Sequence, residues 1–193
     1  NRLNGNGISE LIVFGQRAGL AAARHASAHG AREAFVDMHQ AARADLDARA
    51  PLSRTGGENP HGLQRELQRA MQEAAGLVRT EAGLAQALRT IGEIAGRAAQ
   101  VAAPGGAASN PAWQCALDLR SLVAIAESVL RSALERRETR GAHVRDDYPG
   151  SDEVLGRANV VVRRAAGTLR TIVVPRAEPP EALRRLAEEG VAA

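Results

Sequence analysis

NPAWQCALDLRSLVAIAESVLRSALE, residues 110–135, decides the architecture. Asn110 can cap a helix, and Pro111 can sit in its first turn, where a missing N–H costs nothing. Behind that start Leu119, Leu122, Ala126, Val129, Leu130 and Ala133 recur at helical spacing and form one apolar stripe. The same start signal stands at Asn59-Pro60, followed by the stripe Leu63, Leu67, Met71, Ala74 and Val78. Leu84, Leu88, Ile91 and Ala95 carry a further stripe. Residues 50–60, with Pro51, Gly56, Gly57 and Pro60, read as a break, and residues 103–111 as a loop. Three striped helices joined by short links predict an antiparallel bundle.

Toward the N-terminus, residues 7–29 predict a helix. Ile8, Leu11, Ile12, Gly15, Ala18, Gly19 and Ala22 share a face, and Asn6 suits its N-cap. Gly15 and Gly19 weaken a helix, so that face is expected to pack closely against another element. Residues 31–48 read as a charged amphipathic helix. Toward the C-terminus the character changes after Gly141. Val160-Val161-Val162 and Ile172-Val173-Val174, separated by Ala165-Ala166-Gly167, predict a β-hairpin. Pro179-Pro180-Glu181 starts a short last helix to about Glu189. The fold class is therefore mainly α, with an antiparallel helical bundle and a small α+β tail.

The 193 residues allow one or two domains. Hydrophobic residues make up 45%, but there are only two Phe, one Trp and one Tyr, so the core must be built from Ala, Leu, Val and Ile. The net charge is only +3, and the chain has no Lys; its pI of about 10.2 reflects arginines that stay charged at any accessible pH. Acidic residues interleave with them, which is the pattern of solvated helix faces and not of a nucleic-acid binder. Cys115 is the only cysteine, which excludes an internal disulfide and suits a reducing compartment. No apolar run approaches the ~20 residues of a membrane span, and no signal-peptide pattern is present. The sequence starts with Asn inside a motif and reads as a piece of a longer chain.

The residues that could carry chemistry are few. Arg2 precedes the start of the first helix, where unpaired N–H groups and a partial positive charge can hold an anion. Gly5 and Gly7 would let a planar ring approach the backbone there. They are not a dinucleotide fingerprint, because no strand precedes them and the third glycine is missing; spacing alone favours an ordinary glycine-rich helix entry. His143 invites an acid–base role, yet a lone His after Gly-Ala is more often structural. His25 and His29 share a helix face at i, i+4 with no third ligand in the pattern, and read as surface residues. Asp146 and Asp147 are adjacent and diverge. Cys115 has no CxxC partner, so an iron–sulfur or zinc site is not expected. Trp113 and Cys115 are expected to pack the start of the long helix.

Two segments resemble the flavoprotein subunit of the succinate dehydrogenase / fumarate reductase family, in its C-terminal third. Arg2-Leu3, Asn6 and Val13-Phe14-Gly15-Gln16-Arg17-Ala18-Gly19 are similar to the family's Arg-Leu, Asn-Ser-Leu and Val-Phe-Gly-x-x-Ala-Gly pattern. Residues 132–149, SALERRETRGAHVRDDYP, resemble its SALxRxESRGAHxRxDYP, with Thr139 in place of Ser. The resemblance implies an FAD enzyme that interconverts succinate and fumarate. It implies that Arg2 binds a carboxylate of the dicarboxylate substrate, and that the helix start at Asn6, Gly7 and Ile8 meets the pyrimidine side of the flavin. Gly7 and Ile8 stand where Ser and Leu are common, so a backbone N–H contact survives but a serine hydroxyl contact does not.

It further implies an iron–sulfur subunit and, through it, a membrane anchor, with the protein peripheral on the inner face of the bacterial cell membrane. The proton-transfer residues, the Gly-rich loop and the flavin-attaching His are expected upstream, so this fragment alone is expected to be inactive. On this reading residues 1–30 end an FAD-binding domain, 31–137 form a helical domain, and 138–193 form the tail. Arg140, His143 and Asp147 are expected to tie the helical domain to the tail and the flavin domain. L-Aspartate oxidase shares the architecture, but its second motif tends to Gly-Leu-His where this chain has Gly141-Ala142-His143. A non-enzymatic helical interaction module is the other alternative.

Overall fold

The computed structural model describes residues 6–30 and 37–185, except for the side chain of Asn6. Arg2 and the end of the last helix, to Glu189, lie outside the described residues. The chain forms two compact units, Asn1–Ala48 and Arg49–Ala193.

In the first unit, α1 (Asn6–His29) is one uninterrupted helix. Its side chains are exposed, including Ile8, Leu11, Ile12 and Phe14. The close packing expected at Gly15 and Gly19 is not supplied by any described residue, since a Cβ built at either meets nothing within 4 Å. The next helix, α2 (Met38–Ser53), starts later than the 31–48 reading and ends later. Asp37 starts it, accepting from the backbone N–H groups of His39 and Gln40 at 2.9 and 3.2 Å. Pro51 does not break it. In the last turn a proline removes little of the helical ladder, and here the residue is buried while its carbonyl accepts from Ala103 N–H at 2.8 Å.

The second unit is built on α3 (Pro60–Ala75), α4 (Glu81–Ala98) and α5 (Pro111–Glu135), which pack on one another pairwise. Both Asn-Pro signals act as read: the Asn59 side chain accepts from His61 N–H at 2.9 Å and that of Asn110 from Trp113 N–H at 3.0 Å. On α5 the buried row is Ala116, Leu119, Val123, Ala126, Leu130 and Ala133, with Cys115 buried beside its start; on α4 it is Leu84, Ala87, Ile91, Ile94 and Ala98. Both rows alternate steps of three and four, the seam of helices crossing at a shallow angle in a bundle. Val129 lies off that seam and is 39% exposed, and Leu122 is only half-buried. Leu88 and Ala95, read as core, flank the α4 seam half-buried.

The α3 stripe ends early. Gly76 closes the helix, and Val78 instead enters β1 (Val78–Arg79), which pairs in parallel with β2 (Val144–Arg145). A four-residue helix, α6 (Glu153–Gly156), leads into the hairpin of β3 (Ala158–Ala165) and β4 (Thr168–Pro175). These two strands pair antiparallel across Ala166-Gly167, as expected, and rest on α5. Residues 181–185 begin the last helix. Among the described residues no helix is long and apolar enough to cross a membrane.

Candidate functional site

The segment after α5 is short and charged, and it closes the bundle. Arg136 ends the helix, and Gly141 turns the chain with φ of +59°, a conformation glycine adopts without strain. Arg140 and His143 then exchange backbone hydrogen bonds at 2.8 and 3.0 Å. Thr139 sits at the centre. Its hydroxyl accepts from Arg145 N–H at 2.9 Å and lies 2.9 Å from the Tyr148 carbonyl, contacts that a serine could make equally.

Two buried ions anchor this turn. Arg145 is fully buried at the end of β2, and the turn that follows, closed by Tyr148 N–H on the Arg145 carbonyl at 3.2 Å, brings Asp147 back to it. Its guanidinium grips both Asp147 oxygens at 2.7 and 2.8 Å and donates to the Ala133 carbonyl of α5 at 2.9 Å. Asp147 also accepts from Glu81 N–H at 2.6 Å, at the first turn of α4. The Arg145 guanidinium, with the Glu81 N–H, holds the Asp147 carboxyl far below the usual carboxylate range. Glu138, the second ion, is also fully buried. Burial raises its pKa, but Asp152 N–H, Arg140 and Arg136 outweigh that and leave it lowered. Arg136 and Arg140 continue to the carbonyls of Ala158, at 3.0 Å, and Asp152, at 2.9 Å, so the end of α5 is fastened to the root of the hairpin.

His143 has no spare nitrogen. Its Nε2–H donates to the Arg136 carbonyl at 2.8 Å, and Nδ1 accepts from Arg79 Nη1 at 2.9 Å. That pairing requires the neutral ring. Burial, and then the Arg79, Arg145 and Arg136 charges, push its pKa below the ordinary value despite the Arg136 carbonyl. The arrangement suits a structural clasp and not a general base. Beside it lies a groove of about 490 Å³ lined by Arg79, Ile125, Ser128, Val129 and His143.

These shifts set the pH response. A group whose pKa is lower in the fold than in the unfolded chain stabilises fully above its unfolded pKa and loses that contribution as pH falls through the folded value. For His143 the loss starts near pH 6.5, and for Asp147 and Glu138 near pH 4. His143→Gln should therefore flatten the decline in urea stability below about pH 6.5, leaving only the decline near pH 4. Identical slopes in both proteins would remove His143 from this account.

Of the residues singled out by sequence, Asn6, Gly7 and Ile8 open the first turn of α1, with Gly7 half-buried and Ile8 66% exposed. They lie in the first unit, whereas His143 and its partners lie in the second. Asp147 and His143 reach from the tail to the bundle, through Glu81 N–H and through Arg136 and Arg79, whereas the Arg140 side chain bonds within the tail, to Glu138 and the Asp152 carbonyl. Arg79, Glu81, Glu138 and Arg145 complete the clasp and were not singled out; Asp147 lies in the turn after β2, so no strand or helix periodicity marks its pairing with Arg145. His25 and His29 stack on the surface with ring centroids 4.0 Å apart. Cys115 is buried, with its thiol 3.5 Å from Gln64 Oε1. No cluster of three or more metal-ligating side chains stands among the described residues.

Residues 64–174, which span α3 to β4 and include the whole clasp, match the family described as fumarate reductase flavoprotein C-term. The chain belongs to that family. It is 33% identical over 182 residues to the fumarate reductase flavoprotein subunit of Mycobacterium tuberculosis, covering 91% of this chain and 31% of that protein. The E. coli fumarate reductase flavoprotein subunit is 32% identical over 149 residues, 76% of this chain and 25% of that protein. Among solved structures, Mycobacterium smegmatis Sdh1 in complex with UQ1 superposes with a TM-score of 0.87 at 34% identity, covering 98% of this chain and 33% of the solved one. A quinol–fumarate reductase with menaquinol molecules gives 0.81 at 28%, covering 93% and 32%. The chain thus spans about a third of the length of these relatives.

Proposed function

We propose that this chain is the C-terminal part of an FAD-dependent flavoprotein subunit that interconverts succinate and fumarate. Family membership over the clasp and bundle supports the class of protein. The observation that supports the residue-level reading is the α1 start: a glycine-bearing first turn, with Gly7 half-buried and Ile8 exposed, that begins three residues after Leu3 in the sequence. Its first N–H groups have no partner within the helix, and Gly7 has no side chain to keep a flat ring away. These residues fit a flavin. When bound, FAD would take up and return the hydride of the succinate–fumarate couple.

In this reading the backbone at Asn6, Gly7 and Ile8 would help hold the flavin, and the helix start would favour negative charge on it. Arg2 grips one substrate carboxylate with both arms of its guanidinium, orients the dicarboxylate and stabilises charge that builds during transfer. Residues 1–30 would then belong to the FAD-binding domain, 31–137 to the helical domain and 138–193 to the tail. Electrons would leave to an iron–sulfur subunit and, through it, a membrane anchor and quinone, with the assembly peripheral on the inner face of the cell membrane. The relatives titled as complexes with UQ1 and menaquinol support that kind of partner.

Arg2→Lys tests the site in a complete protein carrying this sequence. An ammonium cannot reproduce the bidentate fork, so kcat/KM for succinate should fall by about 100-fold or more. Near-normal kcat/KM would overturn the assignment of Arg2.

A further inference from the structure

We propose that the outward face of the β3–β4 hairpin is a docking strip for an acidic, extended segment of a partner polypeptide. The proposal does not depend on the flavin reading. Thr171 donates to Glu135 of α5 at 3.3 Å and Ala158 is buried, so the face that carries Ala158, Val160, Val162 and Thr171 is turned toward the bundle, with Val173 at its margin 40% exposed. Strand alternation puts three pairs on the opposite face: Asn159 with Val174, Val161 with Ile172, and Arg163 with Arg170. Both arginines are exposed, and Ile172 is 38% exposed.

Arg163 directly opposite Arg170 is a like-charge pair, which weakens a hairpin unless an anion lies between the two. Neither arginine has an ion-pair partner among the described residues; the nearby Glu135 meets Thr171 on the other face. Between Glu153 and Glu178 the chain holds five arginines and no acid, although the whole chain has 25 basic and 22 acidic residues. Among the described residues none of Arg157, Arg163, Arg164, Arg170 and Arg176 has an ion-pair partner. At the root of the hairpin Arg157, Arg176 and Arg184, with Glu178, line a second concavity of about 390 Å³. Arg157 and Arg176 are held side by side by a backbone bond of 2.8 Å.

Positive charge therefore stands at both ends of the strip, with the apolar Val161–Ile172 pair between. Eight-residue strands make it roughly 26 Å long, the span of about eight residues of extended peptide. Guanidinium groups fixed in register suit carboxylates, which they bind bidentately. The hairpin has no aromatic side chain to insert into lipid, so a peptide fits better than a membrane surface.

Binding of a labelled glutamate-rich peptide with a central leucine to the 193-residue chain tests this. Wild type should bind it, more weakly as salt rises. Arg163→Gln/Arg170→Gln should weaken binding by about tenfold with an unchanged circular dichroism spectrum. Arg65→Gln/Arg69→Gln on α3, which removes the same charge, should leave the affinity unchanged. Equal losses in the two double variants would reduce the effect to net charge and overturn the proposal. So would tighter, Arg163/Arg170-dependent binding to phosphatidylglycerol vesicles than to the peptide, which would make the strip a membrane contact. A gain in affinity in Glu188→Gln/Glu189→Gln would overturn it in another way, by making the chain's own tail the occupant.

Discussion

Arg145→Met should destabilise the second unit by about 1–3 kcal/mol, because it removes a fully buried guanidinium and leaves the Ala133 carbonyl that it serves without a donor. Methionine roughly fills the space. It donates nothing to the Ala133 carbonyl, and it leaves Asp147 without the cation that holds its carboxyl ionised. Asp147 in turn serves Glu81 N–H, so the start of α4 should loosen as well. Urea unfolding at neutral pH measures the effect, and an unchanged m-value would show that the loss is one of stability. Adding Asp147→Asn to Arg145→Met should cost less than the sum of the two single changes, since both remove the same two-bond contact. A single-variant loss below about 1 kcal/mol would mean that water replaces the guanidinium without penalty.

The second large effect belongs to the seam. Leu119 is fully inaccessible within the core cluster shared by α3, α4 and α5. Leu119→Ala should cost about 2–5 kcal/mol, from lost burial and from the cavity left behind. Val129→Ala on the same helix should cost about 1 kcal/mol or less, because that side chain lies off the seam and is 39% exposed. Similar losses for the two variants would mean that the groove beside His143 is covered by something in solution and that the seam assignment is incomplete.

The contrast between these residues shows how far periodicity reaches. Leu119, Ala126, Leu130 and Ala133 are readable because each is apolar and a whole number of turns from the next. Val123 is buried and Val129 is not, although both are valines at helical spacing. Only the partner helix decides which of two adjoining rows becomes the seam. Val78 misleads for a different reason: Gly76 stops the helix, and the strand that takes Val78 is supplied by Val144, far along the chain. Pro51 misleads because burial and a tertiary hydrogen bond support a helical turn that its residue type disfavours.

The clasp was legible as a motif and not as chemistry. Composition makes RRETRGAHVRDD a solvated charge run, whereas folding buries Glu138 and Arg145 completely. Which charges go inside depends on carbonyls and helix starts brought together by the fold. At α1 the reading is of another kind: a helix start and two glycines can be recognised, but the preference for flavin over any other flat anion came from the resemblance alone.

The parallel pairing of β1 with β2 has a consequence for the order of events during synthesis. Glu81 and Asp147 are 66 residues apart, so a ribosome adding roughly 5–20 residues per second needs roughly 3–13 seconds between them. Through that interval the rest of α4 and all of α5 are made, while the start of α4 still lacks its carboxylate. The bundle therefore waits, partly formed, for a charged segment made after it. A translational pause placed late enough for residues through Asp152 to have left the ribosome would let the clasp close, whereas an earlier pause would prolong exposure of the half-built core to chaperones and proteases.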